Sequence, residues 1–287
     1  TATGVSLTGN TTATLAAGVA TFDGLKVIAL PDNDYTLDFT TTVGSTAMTS
    51  AATDSFRVTY STPNKLAMIQ QPVGGTTGAT LTTQPIVEVQ DVYGNRVFNY
   101  SGSITAAVGG SGSTLTSASA SDLTAVVTNG RATFTDLALT ATPATDYQLS
   151  FSAGSLVGVN SGNIRVVPGA PVRIEILNQP IGAETGAALA GQPVVRVVDT
   201  FGNTVTQDSS TVITAALTSG TGGTLTRVVS SQSVAITATV ANGVATFSDL
   251  YMRGLTNHNY QLTFSSGSLT SAVSNNFTVN HAAVASM

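Results

Sequence analysis

From Leu123 to Phe134 the chain alternates between side chains that belong inside a protein and side chains that belong in water, and the pattern pivots on Asn129-Gly130. Alternation with a period of two marks a strand with one buried face. Asn and Gly both accept positive φ, which a two-residue type I′ turn needs at its two central positions. The stretch predicts a hairpin in which Thr128 faces Arg131, Val127 faces Ala132 and Ala125 faces Phe134. Leu123, Ala125, Val127, Ala132 and Phe134 then share the inner face, and Thr128, Arg131 and Thr133 the outer one.

The same stretch is written three times. Ala17-Gly18-Val19-Ala20-Thr21-Phe22, Asn129-Gly130-Arg131-Ala132-Thr133-Phe134 and Asn242-Gly243-Val244-Ala245-Thr246-Phe247 place their Phe residues 112 and 113 positions apart. A fixed period of this length means repeated modules rather than one large domain. The same register gathers Val234, Ile236, Ala238, Val240, Ala245 and Phe247 in the third copy, and Ala13, Leu15, Ala20 and Phe22 in the first. Ala17 replaces Asn in the first copy, which weakens the type I′ turn there and leaves the register unchanged.

Each copy also places a Tyr 13 residues after its Phe, at Tyr35, Tyr147 and Tyr260. Each Tyr opens an alternating strand, such as Tyr147, Leu149 and Phe151 facing in with Gln148 and Ser150 facing out. A Tyr at the start of the penultimate strand, its hydroxyl bonded to upstream backbone, is the tyrosine corner of immunoglobulin-like sandwiches. The three hydroxyls are expected to be buried and bonded. In the second module, strands are expected near 65–70, 85–90, 103–108, 122–128, 131–135, 146–152 and 162–167. Short strands separated by turn signals read as a β-sandwich, so the fold class is all-β, in tandem immunoglobulin-like modules.

The front halves of the two later modules match at an offset of 108: Gln71-Pro72 with Gln179-Pro180, Gln84-Pro85 with Gln192-Pro193, and Asp91-x-x-Gly94-Asn95 with Asp199-x-x-Gly202-Asn203. The offset grows to 113 before the Asn-Gly turn, which predicts a five-residue insertion near Gly220–Ser233. The expected boundaries are residues 1–60 for the C-terminal half of a module, 61–168 and 169–280 for complete modules, and 281–287 for a linker or the start of a further module. The first unit is expected to hold the hairpin, a strand over Tyr35–Thr40 and a closing strand over Ser55–Thr59. Half a sandwich exposes its core face and is too small to be stable alone. Two expectations follow: the sequence is a window on a longer array, or the half-module is completed by strand addition from the terminal stub or another subunit. Pro63, Pro168 and Pro171 stiffen the short junctions, so successive modules are expected to form a semi-rigid rod.

Composition narrows the function classes. The 287 residues are 42% hydrophobic and only 9% charged, rich in Thr, Ser, Ala, Gly and Val, which is β-protein composition with a weakly charged surface. The net charge of −5 argues against nucleic acid, which needs a basic stripe. Cysteine is absent, which removes disulfides, thiolate metal sites and cysteine catalysis. No run reaches the roughly 18 apolar residues of a membrane helix.

The order Gln-Pro, Gln-Pro-x-Val, Asp-x-x-Gly-Asn, Asn-Gly-x-Ala-Thr-Phe-x-Asp-Leu and Tyr-x-Leu-x-Phe resembles the bacterial Ig-like (Big-type) repeats of large surface and secreted proteins, including adhesin shafts of the invasin and intimin type. The resemblance covers nearly the whole chain. It implies an extracellular array of spacer modules and no particular activity.

Candidate chemistry is sparse. The only His residues, His258 and His281, do not recur between modules, and no nucleophile elbow or zinc-helix motif occurs, so the chain is expected not to be an enzyme. The candidate calcium ligands are Asp91 with Asn95 and Asp199 with Asn203. That ion wants six to eight oxygens and each motif holds one carboxylate, so an Asx-type turn competes with it. No other cofactor is expected. Tyr93, Phe98, Tyr100, Phe201 and Tyr251 are the aromatics a glycan platform could use, with packing at the sandwich end as the alternative. Lys26 and Lys65 are the only Lys residues for a Lys-Asn crosslink and are not equivalent. Asn10, Asn99 and Asn276 lie in Asn-x-Ser/Thr patterns. The expected structural residues are Phe22, Tyr35, Asn129, Gly130, Phe134, Tyr147, Asn242, Gly243, Phe247 and Tyr260. The expected function is an extracellular, non-catalytic array serving as stalk, filament or surface-layer component, whose partners are copies of itself or neighbouring modules. The alternatives are an adhesion or glycan-binding module and an accessory module of a secreted enzyme.

Overall fold

The computed structural model describes residues 5–43, 45–50, 52–118, 123–227 and 236–281. Every regular element among them is a β-strand, and the fold is all-β, in immunoglobulin-like sandwiches. Two hydrophobic cores form, one from residues between Leu66 and Val166 and one from residues between Ile174 and Val279.

In the second module Lys65–Gln70 pairs antiparallel with Ile86–Gln90, which pairs with Arg131–Thr133. The Asn129-Gly130 turn then leads back into Thr124–Thr128, with φ of 50° and 71° at the two turn residues. Val127 faces Ala132 and Thr128 faces Arg131. Beyond that point the expected pairing of Ala125 with Phe134 does not form. Thr124, Ala125 and Val126 pair instead with Thr105, Ile104 and Ser103, so one strand serves both sheets. The physical reason is competition for the same backbone groups: Val127 donates to Gly102 O at 2.9 Å, while Phe134 donates to Pro85 O at 3.1 Å. Ser103–Val108 then pairs with Leu149–Ser152, whose other edge takes Val159–Asn160. The expected strand over 162–167 is reduced to bridges, Ile164 with Tyr147 and Val167 with Thr76 in parallel. Thr114–Ser117 and Leu137–Thr140 form a further antiparallel pair that the alternation did not reveal, because Leu115 is the only large apolar side chain of the first strand.

The third module repeats these pairings except across its hairpin, where only the Ala241–Val244 bridge forms, and it repeats the bulge in its opening strand, between Ile176 and Asn178 as between Met68 and Gln70. Its turn has φ of 50° at Asn242 and 80° at Gly243. The five extra residues are not one insertion. The pairing registers equate Ile104 with Ile213 and Leu115 with Leu225, so one residue enters before Ile213 and another before Leu225. The rest enter after Arg227, in a span that includes residues 228–235, outside the described set. Val234 of the expected face lies there too.

Each core is centred on the repeated Phe. Phe134 and Phe151 have ring centroids 5.5 Å apart, as do Phe247 and Phe264. Aromatic pairs at such tilted geometry add to area burial. The first unit keeps the arrangement, with Phe22 and Phe39 at 5.0 Å, but buries neither ring fully. Its strands form separate pairs: Ser6–Thr8 with Lys26–Ile28, Asn33–Tyr35 with Phe56–Val58, and Thr40–Val43 with Thr46–Thr49. Ala17 adopts φ of 50° and Gly18 81°, so the positive-φ turn forms without Asn.

Candidate functional site

The repeated polar residues converge on the junctions between modules. In Asp91-x-x-Gly94-Asn95 the chain reverses, with Gly94 at φ 88° and its amide donating to Asp91 O at 3.1 Å. This places the Asp91 carboxylate under its own turn. Oδ1 accepts from the Tyr93 and Asn95 amides at 2.9 and 2.8 Å, and Oδ2 from Asn95 Nδ2 at 3.1 Å. The remaining donor comes from outside the turn: the amide of Ser61, in the linker before the module, reaches Oδ2 at 3.0 Å.

The second junction is built the same way. Asp199 Oδ1 accepts from the Phe201 and Asn203 amides at 2.9 Å, and Oδ2 from Asn203 Nδ2 at 3.1 Å and from the linker amide of Gly169 at 2.9 Å. Both carboxylates are buried. Burial pushes each carboxyl up. The N–H donors, led by Ser61 and Asn95 for Asp91 and by Gly169 and Asn203 for Asp199, more than offset it, so both lie below the ordinary carboxylate range.

Asp91, Asn95, Asp199 and Asn203 are the candidate calcium ligands, and their surroundings can be compared with what that ion needs. The donors around each carboxylate are N–H groups, including the side-chain amide nitrogen of the Asn, whereas calcium needs a cage of oxygens. The residues present do not fit that ion. Among the described residues no three His, Asp or Glu side chains gather to hold a metal.

The opening strand pair of each module starts directly after its linker: the Asn64 amide donates to Gln90 O at 2.9 Å, and Val172 donates to Val198 O at the same distance. Gln207 Nε2 reaches Pro168 O at 2.9 Å. The aromatic residue of each turn leans toward the preceding module. Phe201 packs on Gly78 so closely that a Cβ there would meet its Cζ at 2.4 Å. Tyr93, its equivalent, borders a cleft of about 340 Å³ shared with Ile28, Ala29 and Val58 of the first unit. Phe98 lies under the Arg96 guanidinium at 4.4 Å and beside Tyr60 of the linker at 6.2 Å. Tyr93, Phe98 and Phe201 remain exposed, while Tyr100 and Tyr251 are half-buried.

The corner tyrosines each bond to the residue five positions upstream. Tyr147 Oη accepts from the Thr142 amide at 3.2 Å, and Tyr260 and Tyr35 donate to Leu255 O at 3.1 Å and Leu30 O at 3.0 Å. Tyr147 and Tyr260 are buried, Tyr147 against Gly110 and Tyr260 against Gly220, Gly223 and Gly254, whereas Tyr35 is only half-buried.

Sequence reasoning missed several clamps whose signal was present as recurrence. The amide of Gln84 bridges Leu81 O and Leu137 O and accepts from Leu137 N, and Gln192 does the same with Leu189 and Leu250. Gln71 accepts from the Gly162 amide and Gln179 from the Asn275 amide, at 2.8 and 2.9 Å. Buried Thr77 exchanges bonds with the Ala141 backbone, as Thr185 does with Gly254. His258 is exposed, His281 Nε2 lies 3.1 Å from Thr256 Oγ1, and Asn10, Asn99 and Asn276 are all exposed.

No family model and no curated protein matches the chain. Among solved structures it is similar to the Escherichia coli adhesin FdeC at 16% identity and a TM-score of 0.36, over 96% of this chain and 85% of that one. Yersinia pseudotuberculosis InvD follows at 15% and 0.33, over 97% and 86%. A β-glycosidase from Bacteroides vulgatus aligns at 9% and 0.31, over 76% of this chain, which spans only 25% of the glycosidase. At such identities and TM-scores these likenesses assign neither a site nor an activity.

Proposed function

We propose that this chain is part of an extracellular, non-catalytic array in which immunoglobulin-like modules act as spacers of a stalk, filament or surface layer. One observation carries the reading: both junctions are fastened by the same bond, from a linker amide to the buried carboxylate of Asp91 or Asp199. A linker tied at this point has lost the rotational freedom of a flexible tether, and ordering it once in each module favours a fixed relation between neighbours. Each sandwich supplies its own stability, since every large buried side chain contributes about 1.5–3 kcal/mol. The groups that repeat between modules are spent on backbone clamps, which suits a spacer.

Small-angle scattering tests the mechanical part. The wild-type chain should scatter as one extended particle, and Asp91→Ala with Asp199→Ala should shorten and broaden its distance distribution. A wild-type curve that already fits freely jointed modules overturns the reading. Protease shaving of intact producing cells tests the location, with release of peptides from this chain as the expected result.

A further inference from the structure

The two complete modules build the same strand pair from nearly the same side chains. Ile86–Glu88 pairs with Arg131–Thr133 in the second module, and Val194–Arg196 with Val244–Thr246 in the third. Ala132 faces Val87 and Ala245 faces Val195, all four of them fully buried. By shape and apolar burial alone, either front strand fits either receiving strand. Tandem modules this alike are prone to pair across module boundaries as they fold.

Charge breaks the equivalence. Glu88 and Arg196 occupy the same position of the repeat, at the shared offset of 108, with opposite sign. Buried Glu88 stands opposite Arg131, whose Nη2 lies 2.9 Å from Oε2, and its Oε1 accepts from Gln90 Nε2 at 3.0 Å. Its direct ion-pair partner therefore comes from the strand after the Asn-Gly turn. Arg196 stands opposite Val244 on that side and takes its partner from the other neighbour, Glu175, with Nη2 2.8 Å from Oε2. Arg173 holds the second oxygen of Glu175 at 2.7 Å. In the second module Ala67 occupies the place of Glu175.

We infer that this charge exchange selects strand partners during folding: the Arg131 strand accepts the acidic front strand of its own module and rejects the basic front strand of the next. Arg196 brought to the place of Glu88 sets two guanidinium groups opposite each other, and like charges directly opposite destabilise a strand pair. Glu88 brought to the third module faces Val244 and loses Arg131, which leaves a buried carboxylate without its direct partner. Both crossed pairings are penalised, one by repulsion and one by an unpaired charge, and specificity of this kind needs such penalties as well as good native contacts. The device acts inside the chain, whatever the array carries and wherever it is displayed.

The chain has no cysteine, so three engineered thiols turn the choice into a competition. Thr133 stands opposite Ile86 in the native pairing, and Thr246, its equivalent, stands opposite Val194. Full-length chain carrying Ile86→Cys, Thr133→Cys and Val194→Cys is unfolded in urea and refolded at high dilution in a glutathione redox buffer, where thiol–disulfide exchange lets the thiol at position 133 choose between the other two. Peptide mapping of the monomer reads the ratio of crossed (133–194) to native (133–86) disulfide, even from a chain that refolds only in part. Adding Arg131→Glu should raise this ratio at least about tenfold, because it turns attraction into repulsion in the native pairing and repulsion into attraction in the crossed one. Adding Glu88→Arg to that variant should bring the ratio back down. Ala132→Gly weakens the same strand without touching its charge and should leave the ratio within about twofold of the parent. An unchanged ratio in the Arg131→Glu chain, or an equal rise in the Ala132→Gly chain, overturns the inference.

Discussion

Asp199 Oδ2 accepts the amide proton of Gly169 at 2.9 Å across 30 positions of sequence, and Asp91 Oδ2 holds Ser61 at 3.0 Å across the same separation. One carboxylate thus closes a turn and anchors the chain entering the module. Asp199→Ala leaves the Gly169, Phe201 and Asn203 amides without their acceptor in a buried setting. The expected loss is roughly 3 kcal/mol from the third module, because unsatisfied buried donors cost about 1–3 kcal/mol each and some regain water. Urea unfolding followed by Tyr fluorescence measures it, with Asp91→Ala lowering the second module instead.

The same carboxylates set an acid limit. Their folded pKa values are depressed, so the unfolded chain binds protons first as pH falls. The stability they add is fully present above the unfolded value of about 3.9 and is lost as pH drops through the lower folded values. Unfolding free energy should therefore hold from neutral pH to about 4 and fall below it. The Asp91→Asn, Asp199→Asn chain should start less stable and show a shallower acid decline.

Turn glycines separate local strain from tertiary collision. Gly18 has φ of 81° with nothing within 4 Å of a built Cβ, whereas Gly130, at 71°, would place its Cβ 2.5 Å from Val97 O. Gly18→Ala should cost about 1 kcal/mol from left-handed backbone alone. Gly130→Ala should cost clearly more, since backbone must also move, and thermal melts of the two variants rank them.

Tyr147→Phe removes the acceptor of the Thr142 amide from a buried corner. A loss of about 1 kcal/mol is expected in chemical denaturation. Tyr35→Phe should change stability less, because its hydroxyl bond to Leu30 O lies in an exposed setting open to water.

Phe134→Ala empties the centre of one core and should cost roughly 3–5 kcal/mol. The two complete modules have separate cores, so only the transition of the second module should shift in a calorimetric scan. A shift shared equally by both would mean the junction couples them.

Legibility followed the range of the interaction. The turn at Asn129-Gly130, the facing of Val127 and Ala132 and the inward set Tyr147, Leu149 and Phe151 depend on φ preference and period-two alternation within about ten residues. The Thr114–Ser117 strand was hidden because Thr and Ser suit loops as well as strands, and Leu115 alone marks its inner face. Asp91 and Asn95 were visible as a turn, but their N–H donors were not, since side-chain composition does not say which way an amide points.

Sequence by itself therefore determined the period, the two pairs next to the Asn129-Gly130 turn and the inward aromatic positions, all fixed by local backbone preference and by which side chains water rejects. Only tertiary structure decided where the Thr124–Thr128 strand changes sheets, which backbone groups Gln84 and Gln192 bridge, and that the Asp carboxylates hold the linkers. Those outcomes arise from buried polar groups finding partners tens of residues away, and such partners are chosen by proximity in the folded chain.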